Sequence, residues 1–288
     1  MEPLGADGEL LECRADEDLR EAVARRIATF RPKRVVACGG DGTVAAVAAA
    51  IVQADAGIEL AVVPMGTANV FALELGVGTE LEAACRLARE GQARPHDFLR
   101  TRDGIALCRF LIGNLSEPGR SSSPVSKRRW KLLAYLLRGL PHLFRPRGRR
   151  FRLEIDGREI VTRASSVIVC NAGRTGLAEA SWAPSVQADD GLADVLVIHS
   201  TRFRDHLRLI WSWMWGRHER SPWVTHWTAR RRIRIHVPDR VACSRDGECL
   251  EGRVLDIEVV PRALPVVAAS PAVECGIALD LALQHAAP

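Results

Sequence analysis

Two glycine-bearing segments and two acidic turns hold the residues of this chain most suited to chemistry. The first segment is Val35-Val36-Ala37-Cys38-Gly39-Gly40-Asp41-Gly42-Thr43, an apolar run that ends in a glycine turn. Glycines in such a turn let backbone N–H groups come close to a phosphate without a Cβ in the way, and a helix starting there favours negative charge. No Gly-Lys-Ser/Thr follows, so it is not a Walker A loop, and Asp41 and Thr43 depart from the dinucleotide GxGxxG pattern. Asp41 beside phosphate calls for a cation or a hydroxyl donor as partner. The plainer alternative is a tight strand-to-helix turn with Thr43 as N-cap. The second segment, Pro64-Met65-Gly66-Thr67-Ala68-Asn69, again follows an apolar run, and Thr67 and Asn69 can hydrogen-bond phosphate, ribose or base.

Asp-Gly occurs six times, at 7, 41, 103, 156, 190 and 246. Asp156-Gly157 lies between Leu153-Glu154-Ile155 and Arg158-Glu159-Ile160, the pattern of a β-hairpin turn. Asp190 and Asp246 differ by having acidic neighbours, Asp189 in one case and Glu248 in the other. Carboxylates paired in this way can hold Mg2+ or accept a proton from an attacking hydroxyl.

The elements that must position these residues follow from periodicity. Glu17–Phe30 is predicted helical, Arg34–Cys38 a strand, Val44–Gln53 an Ala-rich helix and Ile58–Val63 a second strand. Val70–Leu75 and Glu80–Glu90 follow as helices. Strand, tight turn and helix in repetition imply a parallel sheet with crossover helices, whose two turns share the carboxyl edge where ligands bind. After about residue 97 short apolar runs alternate with turn signals, as in an antiparallel β domain. The expected strands there are Ala106–Ile112, Phe151–Ile155, Glu159–Arg163, Ser166–Cys170, Ala193–His199, Arg232–Val237 and Val254–Val260. Helices are expected over Lys131–Leu140 and Phe203–Trp215, and a Ser/Pro/Gly loop over Glu117–Ser126. The expected fold is an α/β N-terminal domain (parallel sheet, Rossmann-like layers) over 1–97, and a C-terminal antiparallel β-rich domain with a few helices over 98–263. The tail 264–288 is expected to pack back on the first domain.

Composition narrows the class further. The 288 residues are 47% hydrophobic and 26% charged, which excludes long disorder. The longest apolar run, Val44–Val52, falls short of the ~18–20 residues of a membrane-spanning helix. No secretory signal is readable at the start. Eight cysteines show no CxxC pair or zinc-finger spacing, and are expected as reduced, mostly buried thiols of a cytoplasmic protein. The net charge of +5 is uneven: residues 100–152 hold fourteen Lys/Arg against Asp103 and Glu117. That excess suits a polyanion or an anionic membrane, or forms a solvated face. Five of the seven tryptophans, Trp211, Trp213, Trp215, Trp223 and Trp227, fall in one stretch flanked by Arg202, Arg204, Arg208 and Arg217. They serve either as core packing or as an interfacial surface in lipid headgroups.

The ordered set Gly-Gly-Asp-Gly-Thr, Pro-Met-Gly-Thr-Ala-Asn, Asp-Asp-Gly-Leu-Ala-Asp-Val and Asp-Gly-Glu resembles the diacylglycerol kinase catalytic-domain family, which includes bacterial soluble lipid kinases and sphingosine kinases. Likeness extends over roughly residues 30–268 and takes in Lys127–Leu140 and Val-Ile-Val-Cys-Asn ending at Asn171. The resemblance implies an ATP- and Mg2+-dependent lipid kinase acting on diacylglycerol or a related lipid alcohol. It implies that Gly39, Gly40, Asp41, Gly42, Thr43, Gly66, Thr67 and Asn69 contact the nucleotide. Asp190 would hold Mg2+ with Gln187 and the backbone of Leu192. Glu248 would be the general base, with Asp246 and Asp41 in the catalytic group. The implied partners are the lipid alcohol at an anionic membrane surface, bound peripherally, and a second copy of the chain as a candidate; nucleic acid is not expected. The family's usual first strand with an Asn-Pro turn is absent, Ala46 stands where a Glu is common, and Gly113–Ser126 replaces a glycine-rich stretch. The absent first strand keeps open a non-catalytic lipid- or nucleotide-binding member, and the Gly-Gly-Asp-Gly loop, shared with NAD kinases, keeps open a soluble-substrate kinase of that type, which Pro64–Asn69 and Asp246-Gly247-Glu248 disfavour.

Overall fold

The computed structural model describes residues 8–13, 17–54, 57–116, 148–174, 185–200, 202–214 and 221–269. Helix α1 (Leu19–Phe30) leads into strand β1 (Arg34–Gly39), helix α2 (Asp41–Ala54) and strand β2 (Glu59–Pro64). Asp18 caps α1 by accepting from the Glu21 N–H, and Arg31 ends it in a left-handed conformation. β1 and β2 pair in parallel from Arg34↔Glu59 to Gly39↔Pro64, so both strands end level. Helix α2 starts at Asp41, two residues before Thr43, so Thr43 is not its N-cap; Gly40, which has no side chain to cap with, offers its carbonyl to the Val44 N–H. The short helix α3 (Val70–Glu74) and α4 (Leu81–Glu90) complete the helical layer.

Strand β3 (Ala93–Thr101) has no counterpart among the expected elements. Its stretch Pro95-His96-Asp97 breaks the apolar alternation that marks a strand, yet His96, Asp97, Phe98 and Leu99 are all buried. Ala106–Ile112, expected as one strand, is two: β4 (Gly104–Ala106) pairs with β3, while β5 (Arg109–Gly113) belongs to the other sheet. The chain changes sheets at Leu107 and Cys108, a crossing that a uniform apolar run does not signal.

The hairpin β6 (Arg149–Ile155) and β7 (Arg158–Ala164), strands β8 (Ser166–Cys170) and β9 (Ala193–Ile198), and helix α5 (Phe203–Met214) follow. Then come β10 (Val224–Ala229), β11 (Arg232–His236), the small hairpin β12 (Cys243–Arg245) and β13 (Glu248–Leu250), and β14 (Val254–Val267). The expected helix Lys131–Leu140, the loop Glu117–Ser126 and residues 270–288 lie outside the described residues.

β14 runs past the expected end at Val260. Its first half pairs antiparallel with β11 and β3; after a register shift between Val260 and Leu264, Val266 pairs in parallel with Leu60 of β2. Pro261 falls at that irregularity, the setting in which a sheet tolerates proline. One eight-stranded mixed sheet therefore runs β1-β2-β14-β11-β6-β7, with β3 attached at β14 and β4 at β3. A six-stranded antiparallel sheet, β10-β9-β8-β5-β12-β13, stacks on its second half. The inner faces share one core, including Leu99, Phe110, Phe151, Val167, Val195 and Ile233, all inaccessible to solvent. Each such side chain contributes about 1.5–3 kcal/mol by leaving water. A second core lies between the helices and the β1–β2 end, with Val44, Ile51, Leu60 and Phe71.

Of the described cysteines, Cys108, Cys170 and Cys243 are buried, whereas Cys38, Cys85 and Cys249 are exposed and Cys13 is half-buried. The expectation of mostly buried thiols is thus corrected, although all seven are unbridged.

Candidate active site

The level ends of β1 and β2 bring the two glycine turns into contact. The Met65 N–H donates to the Gly39 carbonyl at 2.9 Å. A Cβ built on Gly66 would lie 2.5 Å from the Gly40 Cα, and one on Gly40 would lie 3.2 Å from the Gly66 Cα. Both positions need glycine because one backbone rests on the other. Asn69, left-handed at φ 46°, closes the second turn: its Oδ1 accepts from the Gly66 N–H at 2.9 Å and its Nδ2 donates to the Gly66 carbonyl at 3.1 Å. Asp41 takes a backbone donor in place of the expected hydroxyl, accepting from the Phe71 N–H at the start of α3 at 3.3 Å. Thr67 is exposed.

Gly42 is different from its neighbours. It is exposed at the first turn of α2, and a Cβ there would meet nothing within 4 Å. Open space over glycine N–H groups at a helix start suits a phosphate chain, so the turns fit the triphosphate of ATP.

The Asp246-Gly247 turn joins β12 to β13 and is fastened to the bend between β4 and β5. Asp246 Oδ2 accepts from the Leu107 N–H (2.7 Å), and Oδ1 accepts from the Cys108 (3.1 Å) and Arg109 (2.7 Å) N–H groups. The Asp246 N–H donates back to the Arg109 carbonyl at 3.0 Å. Burial pushes the Asp246 carboxyl above its ordinary value, against the pull of these N–H groups and of Arg109. Both oxygens are engaged in holding the chain together. Glu248 is the carboxylate of this turn that faces solvent, 57% exposed, with Arg245 Nη2 at 3.4 Å.

Helix α2 packs against β4, and the charges of Asp41, at the start of α2, and of Asp246 both act on Cys108, so the first glycine turn and the Asp246 turn approach the same bend. The buried Cys108 thiol lies in that bend. Burial raises its pKa well above the usual thiol value, and the Asp246 carboxylate, with smaller effects from Asp41 and Glu74, pushes the same way. Glu74 also ties α3 to the far side, accepting from the Arg174 N–H at 2.9 Å, while Arg109 Nη1 donates to the Arg174 carbonyl at 2.9 Å.

The loop carrying Asp189, Asp190 and Gly191 is held by Asp97, a residue the sequence did not single out. Asp97 Oδ2 accepts from the Gly191 N–H and Oδ1 from the Arg262 N–H, each at 2.6 Å. The second of these bonds pins the irregularity in β14. Asn171 joins this loop to the Asp246 turn, its Nδ2 donating to the carbonyls of Asp97 (2.9 Å) and Leu107 (2.8 Å). An Asn directly after the apolar run of β8 was the one local sign of such a bridge.

Asp190 Oδ1 accepts from the Leu192 N–H at 2.9 Å, and Gln187 is exposed. Burial raises the Asp190 carboxyl, and Asp194, Asp97 and Asp189 add to the rise. An acid crowded by acids is stabilised by a cation, and the oxygen donors of Asp190, Gln187 and the Leu192 carbonyl suit Mg2+. Among the described residues no three His, Cys, Asp or Glu side chains gather as a ready metal cage, so such an ion would complete its shell with water or phosphate.

Comparison with known proteins bears on both halves. Residues 1–101 match the diacylglycerol kinase catalytic domain, and residues 120–268 match the YegS C-terminal NAD kinase beta sandwich-like domain. An uncharacterized Synechocystis protein is 26% identical over 239 residues, 81% of this chain; the chain spans about half of that relative's length, 54%. The probable lipid kinase YegS-like of Pectobacterium atrosepticum is 26% identical over 245 residues, 82% of this chain and 78% of the relative. The probable lipid kinase YegS of Salmonella arizonae is 27% identical over 247 residues, 84% and 79% respectively. A crystal structure described as a diacylglycerol kinase from Bacillus anthracis superposes with a TM-score of 0.72 at 21% identity, covering 95% of this chain and 90% of that one, which establishes a shared fold.

Proposed function

Because the chain belongs to the diacylglycerol kinase-like lipid kinases of the YegS type, we propose that it transfers the γ-phosphoryl group of ATP to the hydroxyl of diacylglycerol or a related lipid alcohol. The observation that carries this reading is the convergence of two glycine turns with open space over Gly42, beside a bend that holds the Asp246-Gly247-Glu248 turn. Bound Mg2+ would neutralise phosphate charge, and Asp190, Gln187 and the Leu192 carbonyl are the groups suited to hold it.

The protein's own contribution is positioning. The N–H groups at the start of α2 orient an anion, and Asp41 is kept off it by its bond to the Phe71 N–H. Asp246 fixes the turn that carries Glu248. Glu248 then accepts the proton of the lipid hydroxyl as it attacks, a step worth about 10²–10⁴ in rate. An ATP-dependent reaction by a chain whose described thiols are unbridged suits the cytoplasmic face of a membrane. No helix among the described residues is long and apolar enough to cross one.

The test is transfer of labelled γ-phosphate to diacylglycerol in mixed micelles, with NAD offered in parallel. Lipid labelling that falls by at least about a hundredfold in Glu248→Gln supports the reading. Full labelling by that variant removes Glu248 from its role. Labelling of NAD instead of lipid replaces the substrate class, and nucleotide binding without either product marks a non-catalytic member of the family.

A further inference from the structure

Helix α5 has two unlike faces. Its inner face packs on the six-stranded sheet: His206 is buried with Nδ1 2.7 Å from Ser200 Oγ, and Leu209 packs against the cluster of Ile168, Leu196 and Ile198. Arg204, Leu207, Arg208 and Trp211, at helical spacing i, i+3, i+4 and i+7, share the outer face and are all exposed. Leu207 is 45% exposed and Trp211 63%. A soluble helix usually turns such apolar residues inward and leaves only polar ones outside. Here an exposed Leu and Trp lie beside two arginines, and among the described residues of the helix no acid shares their face.

We propose that the outer face of α5 docks on an anionic phospholipid bilayer. Leu207 and Trp211 enter the headgroup–acyl boundary, and Arg204 and Arg208 meet the lipid phosphates. Positive charge combined with a Trp/Leu face selects a bilayer over a purely polar polyanion, which would leave the apolar pair in water. The proposal deepens the lipid-kinase reading and rests on it for the reason the bilayer matters: a lipid alcohol resides there. The docking itself requires no turnover.

The experiment is flotation of the full chain with phosphatidylcholine vesicles, with or without phosphatidylglycerol. Wild-type protein is expected to float with the mixed vesicles only. Each Arg near an anionic surface contributes about a factor of five, so Arg204→Glu with Arg208→Glu should weaken partition at least about 30-fold. Trp211→Ser should also weaken it, whereas Arg204→Lys with Arg208→Lys, which keeps the charge, should not. The same charge reversal at Arg20 and Arg25 of α1 serves as the control and should leave flotation unchanged. Wild-type protein that ignores mixed vesicles, or an Arg204→Glu/Arg208→Glu variant that floats as well as wild type, overturns the proposal. Phosphorylation of detergent-dispersed diacylglycerol is measured on the same proteins. Its absence from wild type and variant alike would refute the kinase reading and leave the vesicle result standing.

Discussion

Replacing Gly42 with alanine should separate folding from nucleotide binding. Gly42 is in the first turn of α2, its backbone is helical, and an added Cβ meets no atom within 4 Å. Alanine in a helix is favoured over glycine by about 0.5–1 kcal/mol, partly because the unfolded chain has less freedom to lose. The melting temperature without nucleotide should therefore rise by about 1–4 °C. The new methyl group projects into the space assigned to the phosphates. Crowding of that kind costs about 1–3 kcal/mol, so ATP affinity should fall by roughly 5- to 150-fold. Gly66→Ala gives the contrast, because its Cβ would sit 2.5 Å from the Gly40 Cα and 2.7 Å from Asn69 Oδ1. That variant should lose both stability and affinity. Circular dichroism melts without nucleotide give the first quantity, and calorimetric titration with ATP the second. A Gly42→Ala protein that is more stable and binds ATP as tightly as wild type would show that no phosphate approaches this turn, and the cradle argument would fail.

Asp246→Asn should lower the urea midpoint by an amount equivalent to about 1–3 kcal/mol, because the amide offers one acceptor oxygen to three backbone N–H groups. Turnover should fall with it, since the same turn carries Glu248; unchanged turnover would disconnect the two residues. Asp97→Asn should loosen the Asp189–Gly191 loop and raise the Mg2+ concentration needed for half-maximal lipid phosphorylation, read from a Mg2+ titration. Asp156→Ala should cost roughly 1–2 kcal/mol at neutral pH, since Asp156 accepts from the N–H groups of Arg230, Arg231 and Arg232. Burial pushes that carboxyl up, but the three N–H groups outweigh it and hold it below the usual value. Its contribution is therefore complete above the ordinary carboxyl pKa and is lost as pH falls through the lowered one. The gap between wild type and variant in urea melts should begin to narrow below about pH 4 and close as pH falls through that lowered value.

Much of the site could be read in the sequence because its parts are local. Gly39-Gly40-Asp41-Gly42 and Pro64–Asn69 mark turns through the backbone freedom of glycine, and the apolar runs beside them mark the strands that align the turns. Asp156-Gly157 announced its hairpin, and both residues take positive φ, 48° and 86°. The ordered motifs also pointed to the family that the comparisons support.

Tertiary structure decided what depends on residues far apart in the chain. Asp246 bonds to backbone groups 137 to 139 positions away, and Asp97 to one 165 positions away. A carboxylate that will hold a distant N–H looks the same in sequence as one that will take a proton, because only its surroundings differ. The switch of sheets at Leu107–Cys108, the return of β14 to the parallel strands and the outward turn of Trp211 share that origin. Side-chain type sets which contacts are affordable, and the packed chain sets which are made.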